Sequence, residues 1–168
     1  MGRIRACLLM ALGGTLIGAW LALPWLRPSP EQAIRRFHAQ LDDSDTAEDQ
    51  LRCPLIRAGS AVCSPLVGEV VRNREAPLRR YAIAALGDLA CADAFAPLSG
   101  IFQDTTEKDY VRADALVALW NIDRQQSGPL VAEWSALPGV IGTAARRLIQ
   151  GDTDPPLGYW DAFFCRHQ

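Results

Sequence analysis

The feature that most constrains the fold is an internal repeat in the middle of the chain. Pro-Leu pairs stand at positions 65–66, 97–98 and 129–130, so the same pair returns at a constant interval. A second pattern lies between the pairs: LRRYAIAALGDL, from Leu78, matches YVRADALVALWNI, from Tyr110, with Arg79 corresponding to Arg112. A constant period in this range indicates a repeat protein, in which each unit buries its apolar face against its neighbours.

Both patterns within a unit are predicted to be helical. Ala82, Leu86 and Leu89 follow the i, i+4, i+7 spacing of one helix face, and the same spacing recurs in the matching segment. Leu86 and Leu119 are therefore predicted to occupy equivalent buried sites. The prolines fit the first turn of each second helix, where their missing N–H costs nothing. Strand signals are absent, and breaks between helices are predicted at Gly59, Cys91-Ala92-Asp93, Asp104-Thr105-Thr106 and Ser127-Gly128.

The repeated segments resemble the HEAT repeat, in the short form related to phycobilisome-lyase repeats. The resemblance is carried by LRRYAIAALGDL with APLSGIF and by VRADALVALWNI with GPLVAEW. It covers residues 77–137 well and extends weakly back to 47–74 and forward to 140–151. It implies an all-α fold of the α-α superhelix class, a short HEAT-like solenoid formed by residues 47–151.

The resemblance also implies positions for two arginines. Arg79 and Arg112 are expected to face the preceding loop, where Asp104 is able to pair with Arg112. The chain departs from the repeat pattern at two places, because two extra residues precede Tyr110 and Pro54 interrupts the first hairpin. HEAT-like repeats occur in proteins with many different functions. The resemblance therefore predicts the fold but says little about the function.

Residues 1–26 are predicted to be a membrane anchor or signal segment. The uncharged run 6–26 would rise about 31 Å as a helix, close to the thickness of the bilayer core. Arg3 and Arg5 precede it, which favours an N-terminus on the cytoplasmic side. An uncleaved anchor is favoured over a signal peptide cleaved after Ala19 and over a buried core helix.

This orientation predicts a single-pass protein of the bacterial inner membrane with its soluble domain in the periplasm. The bacterial origin is inferred from the excess of arginine over lysine, which indicates a GC-rich genome. Gly14 and Gly18 form a small-xxx-small pair, so a homodimer through this segment is a further, weaker expectation. Outside residues 1–26 the chain carries 15 basic and 19 acidic side chains. That balance argues against nucleic-acid binding through phosphates.

Two segments flank the predicted repeats. Residues 27–46 are expected to form a juxtamembrane helix and an acidic linker, the helix having Ala33, Ile34, Phe37 and Leu41 on one side. The tail 152–168 contains four aromatic residues, Tyr159, Trp160, Phe163 and Phe164. It is expected to cap the last hairpin, because exposed rings would promote aggregation.

Four cysteines lie beyond the N-terminal segment, at Cys53, Cys63, Cys91 and Cys165. They permit two disulfides with three possible connectivities. If Cys53 and Cys63 lie equally far from a turn near Ala58-Gly59, an antiparallel helix pair would bring them within disulfide distance. A Cys53–Cys63 bond is therefore the favoured pairing, with Cys91–Cys165 as a weaker second pair and buried free thiols as the alternative.

No constellation of catalytic, cofactor-binding or metal-binding residues is found in the sequence. The two histidines, His38 and His167, have no obvious nucleophile partner, and no cysteine pair has zinc-ligand spacing. No phosphate-binding loop is present. The sequence therefore predicts a protein that is not an enzyme, binds no cofactor and acts by binding.

A protein partner is expected on the second helices of the repeats, which line one face of a solenoid. The candidate residues are polar or aromatic positions not needed for packing: Glu69, Arg72, Asn73, Ser99, Gln103, Glu133 and Trp134. The favoured function is a membrane-tethered scaffold module. The alternative is a lyase-like or chaperone-like subunit acting on a chromophore or client protein, which a cleft with perturbed acids would favour.

Overall fold

The computed structural model describes residues 28–40, 50–152 and 165. Short 3₁₀ turns occur at Gly59–Val62 and Ala92–Ala94. No strand occurs among the described residues, so the prediction of an all-α fold is confirmed for them. The α-helices within these ranges are, in chain order, α1 (Pro30–Ala39), α2 (Cys53–Ala58), α3 (Cys63–Arg72), α4 (Arg79–Asp88), α5 (Phe95–Gln103), α6 (Asp109–Ile122), α7 (Arg124–Ser135) and α8 (Gly139–Gln150).

The helices pack in two series, in which alternate helices of the chain lie next to each other. In what we call the first-helix series, α2 contacts α4, α4 packs on α6, and α6 packs on α8. Helices α3, α5 and α7 form the second-helix series, and each contacts the first helix that follows it. Leu86 of α4 and Leu119 of α6 are 1% and 0% exposed, so the predicted equivalent core sites are confirmed.

Repeated arginines tie the end of each second helix to the following first helix. Arg79 Nε donates to the Val70 carbonyl at 3.0 Å, and Arg112 Nε donates to the Phe102 carbonyl at 2.9 Å. These carbonyls lie in the last helical turn, where no backbone N–H is available to bond them. The predicted pairing of Asp104 with Arg112 is wrong: the Asp104 carboxylate pairs with Arg74 at 2.9 Å.

The close approach of α4 and α6 depends on a glycine. A Cβ atom at Gly87 would lie 2.7 Å from Cα and 2.9 Å from Cβ of Ala118. Real Cβ atoms do not come so near to backbone atoms, so a larger residue would force the two helices apart. By contrast, a Cβ at Gly100 of α5 would have no neighbour within 4 Å.

The predicted break at Ser127-Gly128 is wrong. Helix α7 begins at Arg124, and Asp123 alone separates it from α6. The Asp123 side chain caps α7 by accepting from the Gln126 N–H at 3.0 Å, which starts the helix before the glycine. Pro129 consequently lies inside α7, whereas the prolines of α3 and α5 stand in the first turn as predicted.

The other three predicted breaks are confirmed. Gly59, with φ of 70°, follows the last residue of α2, and the remaining two breaks separate α4 from α5 and α5 from α6. The predicted amphipathic helix near residue 31 is confirmed as α1, in which Ala33 and Phe37 are buried and Ile34 is partly buried.

Both predicted disulfide pairings are wrong, because Cys53 bonds to Cys165 and Cys63 bonds to Cys91. The Cα atoms of the pairs lie 5.0 Å and 5.6 Å apart. Cys53 begins the short helix α2 and Cys63 begins α3, with helical turns almost throughout the interval. The two cysteines therefore do not face each other across a hairpin turn.

Several predictions concern residues outside the described ranges. Among the described residues, no helix combines the length and apolar character needed to cross a membrane. The predicted anchor 1–26 and most of the acidic linker lie outside those ranges, as do residues 153–164 and 166–168 of the predicted capping tail. Of this tail, Cys165 is described, and it is bonded to Cys53 at the start of α2.

Candidate interaction surfaces

An open groove of about 660 Å³ lies along the first-helix series, between the start of α4, α6 and α8. Its apolar lining includes Ala113, Val117 and Ala144. At its rim Tyr110 is 41% exposed and Val140 is 54% exposed. Such large exposed apolar side chains around a concavity are typical of an interaction site.

The charged side chains of the groove are all held in ion pairs. Arg80 Nε donates to Asp114 Oδ2 at 2.7 Å, and the Arg80 guanidinium also lies 5.0 Å from the centre of the Tyr110 ring. Burial raises the pKa of Asp114. The hydrogen bond from Arg80 and the positive charge of Arg80 act in the opposite direction. Arg147, at the α8 side of the groove, pairs with Asp152 at 3.4 Å.

A third ion pair joins α4 to the residue that precedes α2. Arg52 Nη1 lies 2.8 Å from Asp88 Oδ2, and both side chains are largely buried. Burial raises the pKa of Asp88 to about 6, although the charge of Arg52 opposes this shift. Burial likewise lowers the pKa of Arg52, opposed by Asp88, Asp114 and Tyr81 in that order. The charges of the first-helix series are thus held in intramolecular contacts.

Three of the seven predicted partner-binding residues take part in contacts within the fold. Glu69 pairs with His38 of α1. The Ser99 hydroxyl donates to the Phe95 carbonyl at 2.9 Å. Trp134 packs edge-on against Phe102 with ring centres 5.3 Å apart, and the Arg112 guanidinium lies 5.2 Å from its ring centre.

The other four predicted residues are exposed on the second-helix series. Arg72 belongs to α3, Gln103 to α5 and Glu133 to α7, while Asn73 directly follows α3. Among the contacts of the described residues, their side chains form no hydrogen bond or ion pair. Val71, next to Arg72, is 50% exposed. Of the seven predicted residues, three are therefore held in contacts within the fold and four are exposed.

The groove and one arginine contact were not predicted from the sequence. Arg146 Nη1 donates to the Ser135 carbonyl at 3.0 Å, as Arg79 and Arg112 donate to earlier helix ends. Arg146 follows Arg112 at almost the same interval at which Arg112 follows Arg79. This spacing could have predicted the Arg146 contact from the sequence. For the groove the sequence offers no such signal, because its rim residues Tyr110 and Val140 lie outside the apolar stripes.

Within the described ranges, no group of three or more His, Cys, Asp and Glu side chains is placed to hold a metal ion. No protein-family model, curated protein or solved structure matches the chain.

Proposed function

We propose that this chain is a short HEAT-like α-solenoid that acts as a protein-interaction module without catalysis. The contacts of α4 with α6 and of α6 with α8 support a solenoid, since stacked hairpins bring alternate helices together. The recurring arginine contacts support it further, because each joins the end of one hairpin to the next. The two acids with raised pKa values are each held by an arginine, which favours a structural role for them.

The partner binds the second-helix series. The observation that carries this proposal is the set of exposed, uncommitted side chains on successive second helices: Arg72, Gln103 and Glu133. Such groups can bond to a partner without first breaking a contact in the fold. Mixed charge beside the exposed Val71 suits a protein surface.

The module is tethered to the bacterial inner membrane through residues 6–26, with its folded part in the periplasm. Two disulfides within one small domain support this location, since disulfides persist in oxidising compartments. A homodimer through Gly14 and Gly18 is compatible with this arrangement and is not needed for it.

Site-specific photo-crosslinking in membranes of cells that make the full chain tests the partner surface. A benzophenone amino acid replaces Gln103 or Glu133, and Ile149, which is 56% exposed on α8, is the matched control position. We expect adducts to one partner protein from Gln103 and Glu133 and none from Ile149. Adducts from Ile149 alone, or from no position, would contradict the proposal.

One observation favours the second candidate, a lyase-like or chaperone-like role for a chromophore or client protein. Asp114 lines an open groove and burial raises its pKa, which is the kind of site that such a role would use. Titration of the oxidised protein with a tetrapyrrole or with an unfolded model protein tests it. Saturable binding that is abolished by Val140→Arg would support this role. Absence of binding would rule it out.

A further inference from the structure

The groove between the start of α4, α6 and α8 has the size of a small-molecule site. Its volume of about 660 Å³ lies within the roughly 300–1,000 Å³ that is typical of ligand pockets. The small side chains of Ala113, Val117 and Ala144 give it an apolar lining, and the larger apolar side chains of Tyr110 and Val140 stand exposed at its rim. The groove can therefore take the apolar body of a small ligand out of water.

The charged side chains around the groove are mostly cationic. Arg80, Arg147 and Asp114 line it. Lys108 Nζ lies 5.9 Å from the centre of the Tyr110 ring at the rim. The one carboxylate of the lining, that of Asp114, already accepts from Arg80 at 2.7 Å. The three helices also begin beside the groove, so their dipoles add partial positive charge there. The electrostatic complement of the groove is therefore an anion.

Arg147 is the cation that a ligand can engage most easily. Its partner Asp152 lies 3.4 Å away, and the two side chains are 49% and 65% exposed. An exposed ion pair of this kind contributes at most about 1 kcal/mol. Arg80 is held more firmly, because its partner Asp114 is only 26% exposed. A ligand anion can therefore replace Asp152 beside Arg147 with little loss of stability, while Arg80 and Asp114 stay paired.

We propose that this groove binds a small amphipathic anion, a molecule with an aromatic or aliphatic body and one carboxylate or sulfonate group. The body covers the apolar lining, and the anionic group pairs with Arg147. A compact inorganic anion would leave the apolar lining in water, and an amphipathic cation would find Asp114 already paired. The inference does not rest on the proposed protein partner, which binds the second-helix series. It concerns the groove of the second candidate function but requires neither a chromophore nor a client protein.

Photoaffinity labelling of the oxidised full chain, held in a neutral detergent, tests the inference. Two benzophenones of matched shape are compared: 4-benzoylbenzoate, which carries a carboxylate, and 4-benzoylbenzamide, which is neutral. Peptide mapping after irradiation measures the label in the groove, at Tyr110 or Val140, separately from label in the rest of the chain. We expect saturable labelling of the groove. Half-saturation should need about fivefold less of the carboxylate than of the amide, which is the effect of one partly exposed ion pair.

Substitutions of Arg147 show whether that side chain binds the anion. Arg147→Gln should abolish the difference between the two probes, whereas Arg147→Lys should retain most of it. Arg72→Gln, which removes an exposed arginine of the second-helix series, should leave the difference unchanged. Circular dichroism checks that each variant stays helical. Equal half-saturation for the two probes in the wild type, or a difference that persists in Arg147→Gln, would overturn the inference. Absence of saturable labelling in the groove, the result expected if a second copy or another part of the chain fills it, would overturn it as well.

Discussion

At the scale of single residues, Gly87 sets how closely α4 and α6 approach. We expect Gly87→Ala to lower the free energy of unfolding by about 1–3 kcal/mol, because its Cβ would overlap Ala118. Gly100→Ala is the matched control, and its better helix propensity should leave stability unchanged or raise it by up to about 1 kcal/mol. Urea denaturation measures both. Equal stability of the two variants would show that the helices are not in close contact at Gly87.

Asp88 should make stability depend on pH. Its pKa is about 6 in the folded chain and lies near its ordinary value of 3.8 when unfolded. Between these values the folded state binds more protons, so the contribution of Asp88 to stability falls as pH rises from about 4 to 6. The fall is at most about 3 kcal/mol. Above pH 6 the contribution is constant.

Asp88→Asn isolates this effect from the other carboxyl groups. The free energy of unfolding of the wild type relative to Asp88→Asn should fall between pH 4 and pH 7, as urea denaturation at several pH values would show. Asp93→Asn, at an exposed site, provides a control for the loss of one carboxylate. A difference between wild type and Asp88→Asn that is constant over this range would contradict the raised pKa.

At the scale of helices, Asp123 defines where α7 begins. We expect Asp123→Ala to destabilise the protein by about 0.5–2 kcal/mol, because the Gln126 N–H loses its acceptor. Asp123→Asn keeps an acceptor oxygen and should lose much less. Thermal and urea denaturation of the two variants give the comparison. If α7 instead began after a break at Ser127-Gly128, as the sequence alone predicted, both substitutions would have little effect.

The helices were predictable because their signals are local. Leu86 and Leu119 each belong to an apolar stripe on one helix face. Such a stripe is recognised from residues within two helical turns of each other. The start of α7 was missed because Gly128 and Pro129 resemble a helix boundary, while Asp123 supplies a cap earlier in the chain. Of the predicted partner residues, four are exposed. The other three are held in contacts within the fold, which the sequence could not indicate.

At the scale of the whole molecule, the two disulfides should differ in what they stabilise. In the chain-entropy model, a bond across 28 residues contributes about 3–4 kcal/mol and one across 112 residues about 5 kcal/mol. We therefore expect Cys53→Ser/Cys165→Ser to lower the free energy of unfolding more than Cys63→Ser/Cys91→Ser does. Urea denaturation under non-reducing conditions measures both. A smaller loss for the Cys53 pair would contradict the expectation.

Connectivity was beyond prediction because it depends on where distant parts of the chain meet. Cys53 and Cys63 are close in sequence, yet α2 is too short to form a regular hairpin arm with α3. The groove could not be predicted for the same reason. It is formed by residues of α4, α6 and α8 that lie far apart in the sequence, from Arg80 to Arg147. Pairings between distant segments leave no periodic trace in a sequence.

The bond between Cys53 and Cys165 ties the first repeat helix to a residue that follows the last described one. A linear array of repeats normally frays from its ends, because an end unit has a neighbour on one side only. Here Cys165, which follows α8 in the chain, is covalently fixed to α2. Opening at one end is therefore resisted at the other, and the oxidised chain should exchange its amide protons as a single cooperative unit, whereas reduction should restore unit-by-unit fraying.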